Sequence, residues 1–103
     1  MKGMGNLQKM IKQAKEMQDR IQRESAEMRI EGSSGGEMVI VILDGTKSLI
    51  SIKIDPEVVD KDDIEMLQDL ILAAFNDAST KVDEELSQKL GTLGAGLKIP
   101  GLV

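Results

Sequence analysis

Two long stretches of helix-spaced apolar residues bracket three short strand-like runs, and that order leaves few folds open to the chain. The first stretch places apolar residues at Leu7, Met10, Ala14, Met17, Ile21 and Met28, a 3-4-3-4 spacing interrupted only at Glu24. Such a repeat keeps one seam on one side of an α-helix of roughly 20 residues, about 30 Å long at 1.5 Å per residue. Ile64, Leu67, Ile71, Ala74, Phe75, Ala78, Val82, Leu86 and Leu90 also follow helical spacing and predict a second long helix. Asp62, with Glu65 three residues on, is its expected capping box, and Gly91 its expected stop signal.

Between these helices Met28 to Gly32 reads as a short strand, and Ser33-Ser34-Gly35-Gly36 as a flexible turn. Met38 to Leu43 is apolar at every position, the pattern of a strand buried on both faces. Asp44-Gly45 supplies residues that tolerate positive φ in a tight hairpin, and Ser48 to Ile54 follows with Ile50, Ile52 and Ile54 on one face. The expected fold is α+β: a long N-terminal helix, a three-stranded antiparallel meander and a long C-terminal helix. Its divisions are a basic helix over residues 1–27, the meander over 28–54, a connector over 55–61, the second helix over 62–90 and a Gly-rich mobile tail over 91–103. At 103 residues the chain makes one domain with a single small core.

The first helix enters the sheet and the second leaves it, so the two are expected to run antiparallel as an arm, with Leu7 and Met10 near Leu90 and Leu86. The spacing leaves open whether the first helix pairs with its own second helix or with that of another subunit. The second apolar face of Met38 to Leu43 and two open sheet edges call for cover, most economically from a second copy of the chain.

Charge is divided as sharply as structure. Residues 1–23 carry Lys2, Lys9, Lys12, Lys15, Arg20 and Arg23 against Glu16 and Asp19, a net of +4; the remaining 80 residues carry −9 of the overall −5. On a helical wheel Lys9, Lys12, Lys15, Arg20 and Arg23 lie opposite the apolar seam and form an exposed basic stripe. Two readings compete for it. One is an ordinary solvated face, with Glu16 and Arg20 forming an i,i+4 pair; the other is a binding element for a polyanion. Asp83, Glu84 and Glu85, expected toward the same end of the arm as the basic residues, weigh against the second.

Composition removes most other functions. The chain has no cysteine and no histidine, so thiol nucleophiles, imidazole acid–base chemistry, disulfides and nearly all zinc sites are excluded. Asp60, Asp62, Asp63 and Glu65 lack the alternating ligands and central glycine of a calcium loop, and read as acids favouring a helix start. Gly45-Thr46-Lys47-Ser48 resembles the end of a phosphate-binding loop, but Ile40 stands where the motif needs glycine and a strand follows instead of a helix. No enzyme activity, metal or cofactor is expected. With Phe75 as the single aromatic residue, single-stranded bases have no stacking platform, so a bound nucleic acid would be duplex. No signal peptide is expected, and no apolar run reaches the roughly 20 residues needed to span a bilayer; the expected location is the cytoplasm, without a membrane partner.

Several strings in this order resemble the YbaB/EbfC family of bacterial nucleoid-associated proteins. They are Lys12-Gln13-Ala14 with Met17-Gln18; Gly32 with Ser34-Gly35-Gly36; Ile52-Lys53-Ile54-Asp55-Pro56; Met66-Leu67-Gln68-Asp69-Leu70-Ile71; and Ala73-Ala74-Phe75-Asn76-Asp77-Ala78 with Lys81. The Gly-rich tail through Pro100-Gly101 also fits, so the resemblance covers nearly the whole chain. It implies a tweezers-like homodimer with strands at the centre and paired helices as arms. It also implies duplex DNA binding with little or modest sequence preference, a place at the nucleoid, a role in nucleoid organisation or gene regulation, and replication or recombination proteins as partners. Asp55-Pro56 and Asn76-Asp77 are expected to fix turns and helix packing. The DNA contacts are assigned from the charge stripe to Lys9, Lys12, Lys15, Arg20 and Arg23. The alternative is an acidic adaptor that holds a replication or recombination protein and does not bind DNA directly.

Overall fold

The computed structural model describes residues 2–97, which form α1 (Lys2–Glu27), β1 (Ile30–Ser34), β2 (Val39–Leu43), β3 (Leu49–Ile54), a 3-10 turn (Pro56–Val58) and α2 (Ile64–Leu97). The strands form one antiparallel sheet in the order β1-β2-β3, as the meander pattern predicts. β2 is central because its residues alternate between two apolar sets. Val39, Val41 and Leu43 are fully buried beneath α2, together with Ile30, Ala74, Ala78 and Val82, while Ile40 and Ile42 on the other face are only half-buried. Burial on both faces, expected from the unbroken apolar run, is therefore complete on one face alone in the single chain.

The core forms where α2 lies over β1 and β2. Gly32 permits it. A Cβ at this position would sit 2.5 Å from the Ala74 carbonyl oxygen and 2.6 Å from the Ala78 Cβ, closer than atoms tolerate. The strand backbone thus rests directly on a small-residue patch of the helix. Two polar contacts flank this approach: the Ser33 N–H donates to Asp77 Oδ2 at 3.0 Å, and the Ser34 hydroxyl donates to the Leu70 carbonyl at 2.5 Å. Lys81 pairs with Asp77 at 3.1 Å, closing the cluster. Asn76-Asp77 was expected to serve packing, and Asp77 does.

Three local expectations need correction. The turn between β1 and β2 starts later than expected: Ser33 and Ser34 belong to β1, and positive φ falls at Gly35 (60°), Gly36 (68°) and Glu37 (72°). In the β2–β3 turn the positive φ belongs to Lys47 (66°), not to Asp44-Gly45. At α2 the cap is Asp63, whose Oδ1 accepts from the Met66 N–H at 3.2 Å; Asp62 instead donates its N–H to Asp60 Oδ1 at 2.9 Å in the preceding turn. Asp55 Oδ1 accepts from the Glu57 N–H at 2.9 Å and, with Pro56, starts the short turn that buries Val58.

Gly91 does not stop α2, which continues to Leu97. A glycine with open space around its Cβ position costs a helix only about 1 kcal/mol, which does not by itself end one. The expected tail over 91–103 therefore begins as helix, and its part from residue 98 lies outside the described residues.

Substituting Gly32→Ala tests the close approach. Forcing a methyl group against helix backbone should destabilise the fold by about 3 kcal/mol, seen as a lower melting temperature by circular dichroism. An unchanged melting temperature would mean that the strand does not sit on α2 in this way.

Candidate nucleic-acid interface

The register of α2 on β1 decides where the arm lies. Ser34 lies at Leu70, Gly32 at Ala74 and Ala78, and the Glu31 carbonyl receives Lys81 Nζ at 3.3 Å, so β1 runs antiparallel to α2. The end of α1 is thereby level with the Val82–Leu86 stretch. Ile21, Glu24, Ser25 and Met28 face Leu86, Lys89 and Leu90 across a cleft of about 230 Å³. Leu86 and Leu90 therefore meet Ile21 and Met28, not Leu7 and Met10 as expected. The root of α1 lies beside this part of α2 because only two residues separate its last turn from β1.

Beyond the root, α1 stands clear. Leu7 and Met10 are 56% and 64% exposed, and Met17 and Ile21 are more than half exposed. The described chain measures 74 × 27 × 16 Å, with a radius of gyration of 20.2 Å, against about 13 Å for a compact domain of this length. Arg29 closes the base of the helix: its Nη1 donates to the Ala26 carbonyl at 2.9 Å and the Met28 carbonyl at 2.7 Å. Sequence reasoning passed over this residue, although a cation just beyond a helix end is a known partner for the last carbonyls.

All five stripe residues, Lys9, Lys12, Lys15, Arg20 and Arg23, are exposed. At 100° per residue they fall within an arc of about 140° centred opposite the seam, and they extend about 21 Å along the axis. Among the described residues the ion pairs are Lys47–Asp83 at 3.0 Å and Lys81–Asp77 at 3.1 Å, so none engages the stripe. The Glu16–Arg20 pair that belongs to the solvated-face reading is not among them. Glu16 and Asp19 lie within the same arc and dilute it, leaving five cations and two anions. The acidic run is not beside them: Asp83 pairs with Lys47, and Glu84 and Glu85 line a shallow polar hollow with Arg29, Ile30, Glu31 and Lys81. That places the run at the root, about 20 Å along the axis from Lys15.

Two carboxylates at and near the root are held in the charged form. The Ser33 N–H and then the Lys81 ammonium group lower the pKa of Asp77 below its ordinary 3.8. Asp44 is lowered chiefly by the Thr46 hydroxyl, with further help from the Ser48 and Thr46 N–H groups. No cluster of acidic side chains among the described residues is arranged to hold a metal ion.

A small α+β body with a long N-terminal helix that carries five exposed cations defines the class: a helix-armed α+β protein. The model of the YbaB/EbfC DNA-binding family matches residues 3–97. A nucleoid-associated protein of Exiguobacterium sibiricum is 49% identical over 105 positions, covering 99% of each chain. Another from Geobacillus kaustophilus is 54% identical over 103 positions, covering 97% of this chain and 95% of the relative. The crystal structure of an uncharacterized protein from Helicobacter pylori shares the fold, with a TM-score of 0.70 at 23% identity, covering 84% of this chain and 91% of that one. The chain belongs to the YbaB/EbfC DNA-binding family, which is not a family of enzymes. No helix among the described residues is long and apolar enough to cross a membrane.

The lowered carboxylates set the acid response. Because their folded-state pKa values lie below 3.8, their stabilisation is present above the ordinary carboxylate range and is lost as pH falls through the folded values. The melting temperature should therefore drop below about pH 4, and Asp77→Asn should lower it at neutral pH while flattening the acid limb. A wild-type melting temperature that stays constant down to pH 2 would contradict this.

Proposed function

We propose that the chain is a nucleoid-associated protein that binds duplex DNA as a homodimer. It does so by neutralising phosphates with the α1 stripe, with little or modest sequence preference, in nucleoid organisation or gene regulation. The observation that carries this reading is the set of five exposed, unpaired cations on a helix that projects from an otherwise acidic chain. Family membership supports DNA as the ligand, and the names of the relatives support the nucleoid as its place.

Phosphate contact suits the geometry. Lysine and arginine on one helix face meet a regular array of charge without needing to reach base edges. Two features support a second copy: Ile50 and Ile52 are 44% and 41% exposed although Ile52 is cross-strand from fully buried Val41, and Ile40 and Ile42 lack full cover. α2 lies over β1 and β2, leaving β3 as an open apolar margin.

A dimer presents about ten stripe cations, of which about half reach phosphates together. With Z near 5, the slope of log K against log salt should be about −4.5. Fluorescence anisotropy of labelled random-sequence duplex, titrated with salt, measures it. No binding at low salt would remove direct DNA contact and bring the adaptor reading forward.

Charge reversal assigns the residues. Lys9, Lys12 and Lys15 changed together to Glu should abolish retention of DNA at 0.1 M salt while sedimentation velocity still reports a dimer. Unchanged binding would take the stripe out of the mechanism, and a monomeric wild-type chain would take out the dimer.

A further inference from the structure

The joint between α1 and the body is small. α1 joins the sheet through Met28 and Arg29 alone, and the cleft beside Ile21, Ser25 and Met28 means that its packing on Leu86 and Leu90 is loose. What holds its root is the β2–β3 turn. The Gly45 N–H donates to the Ser25 carbonyl at 2.7 Å. A Cβ on Gly45 would sit 2.7 Å from Met28 Sδ, 2.9 Å from the Ser25 oxygen and 3.0 Å from the Ser25 Cα, so only glycine admits the helix this close. Its φ is ordinary; the requirement is for space.

The turn that presents Gly45 is itself braced. Asp44, 7% exposed, accepts at one carboxylate oxygen from the Thr46 N–H at 2.8 Å, the Thr46 hydroxyl at 2.6 Å and the Ser48 N–H at 3.0 Å. Its backbone N–H donates to the Ser48 carbonyl at 3.1 Å and its carbonyl accepts from the Lys47 N–H at 3.1 Å. On the far side Lys47 Nζ reaches Asp83 of α2 at 3.0 Å. One turn therefore touches both helices, and its shape is fixed by a single carboxylate.

Leverage gives this joint its importance. Lys9 lies about 24 Å along the axis from Ser25, so a 10° tilt at the root moves it by about 4 Å, more than the 3.4 Å rise between successive phosphates of a strand. We propose that the Asp44–Ser48 turn is the positioning element of the basic arm, with Gly45 and Asp44 setting the angle of α1 and so which phosphates Lys9, Lys12 and Lys15 can reach. The consequence for DNA rests on the phosphate-binding reading above; the angle itself does not.

The chain has no native cysteine, so Gln8→Cys and Asp69→Cys, both at exposed positions, take nitroxide labels uniquely. With labelled chain diluted in unlabelled chain, pulsed dipolar spectroscopy reads the distance within one chain, from arm to body. Gly45→Ala, and separately Asp44→Ala, should shift or broaden that distribution, by less than the about 4 Å through which a 10° tilt moves the arm itself. Asp44→Asn, which keeps the acceptor oxygen, should restore it. At 0.1 M salt the loss of one phosphate contact lowers affinity about eight-fold, and the two disrupting variants should show at least that. If Gly45→Ala fails to fold, Asp44→Ala decides. Unchanged distances in a folded variant would overturn the proposal, as would altered distances with wild-type DNA affinity. A wild-type chain that does not bind DNA would remove the phosphate reading, while the label distances would still establish or refute control of the angle.

Discussion

The fold depends on the contact of one strand backbone with one helix. With no side chain at Gly32, β1 rests on Ala74 and Ala78, and the Ser33 and Ser34 bonds to Asp77 and Leu70 fix the register on either side. Everything beyond follows from that register. It puts Val82 under the sheet and brings Leu86 and Leu90 level with the root of α1, while Leu7 and Met10 farther out stay exposed. A chain slipped by one helical turn would set Gly32 against Leu70 and Ala74 or against Ala78 and Val82, so a larger side chain would replace one alanine and the strand could not approach as closely.

The same register separates the charges. Asp83, Glu84 and Glu85 sit at the root, where Lys47, Lys81 and Arg29 lie among them, while Lys9, Lys12 and Lys15 are carried about 20 Å away. At physiological ionic strength the screening length is about 8 Å, so the acidic body scarcely weakens the outer cations. The two arginines stand nearer the root and feel it more. A net charge of −5 is thus compatible with a locally cationic surface, because distance and salt isolate the stripe from the rest of the molecule.

How much of this was legible depends on the range of the interactions involved. The two helices, the three strands and their order follow from periodicity, and the structure agrees. Caps and turns were placed one to three residues out, at Asp62 for Asp63 and at Asp44-Gly45 for Lys47, because neighbouring acids and polar residues compete for the same local roles. The stripe was legible as a set of positions, and its exposure and lack of ion pairs are structural facts consistent with that reading. The helix register was not legible: pairing Leu7 with Leu90 treats the arm as a hairpin of equal legs, whereas β1 takes up part of the length of α2. Gly45 was read for its conformational freedom when its role is to let α1 approach, a long-range fact that no local pattern carries.

Small size links assembly to stability in such a chain. The buried core consists of Ile30, Val39, Val41, Leu43, Val58, Ala74, Ala78 and Val82, of which two are alanine, and large apolar residues stay exposed on α1, β3 and α2. Each large apolar side chain left in water forgoes about 1.5–3 kcal/mol of burial, so covering even a few of them with a second copy is comparable with the whole stability of a small domain. On the proposed reading, the surfaces left open by the monomer are therefore those that complete the fold on association. The cations project from the side of α1 opposite its apolar seam, so cover along that seam leaves them free for phosphate.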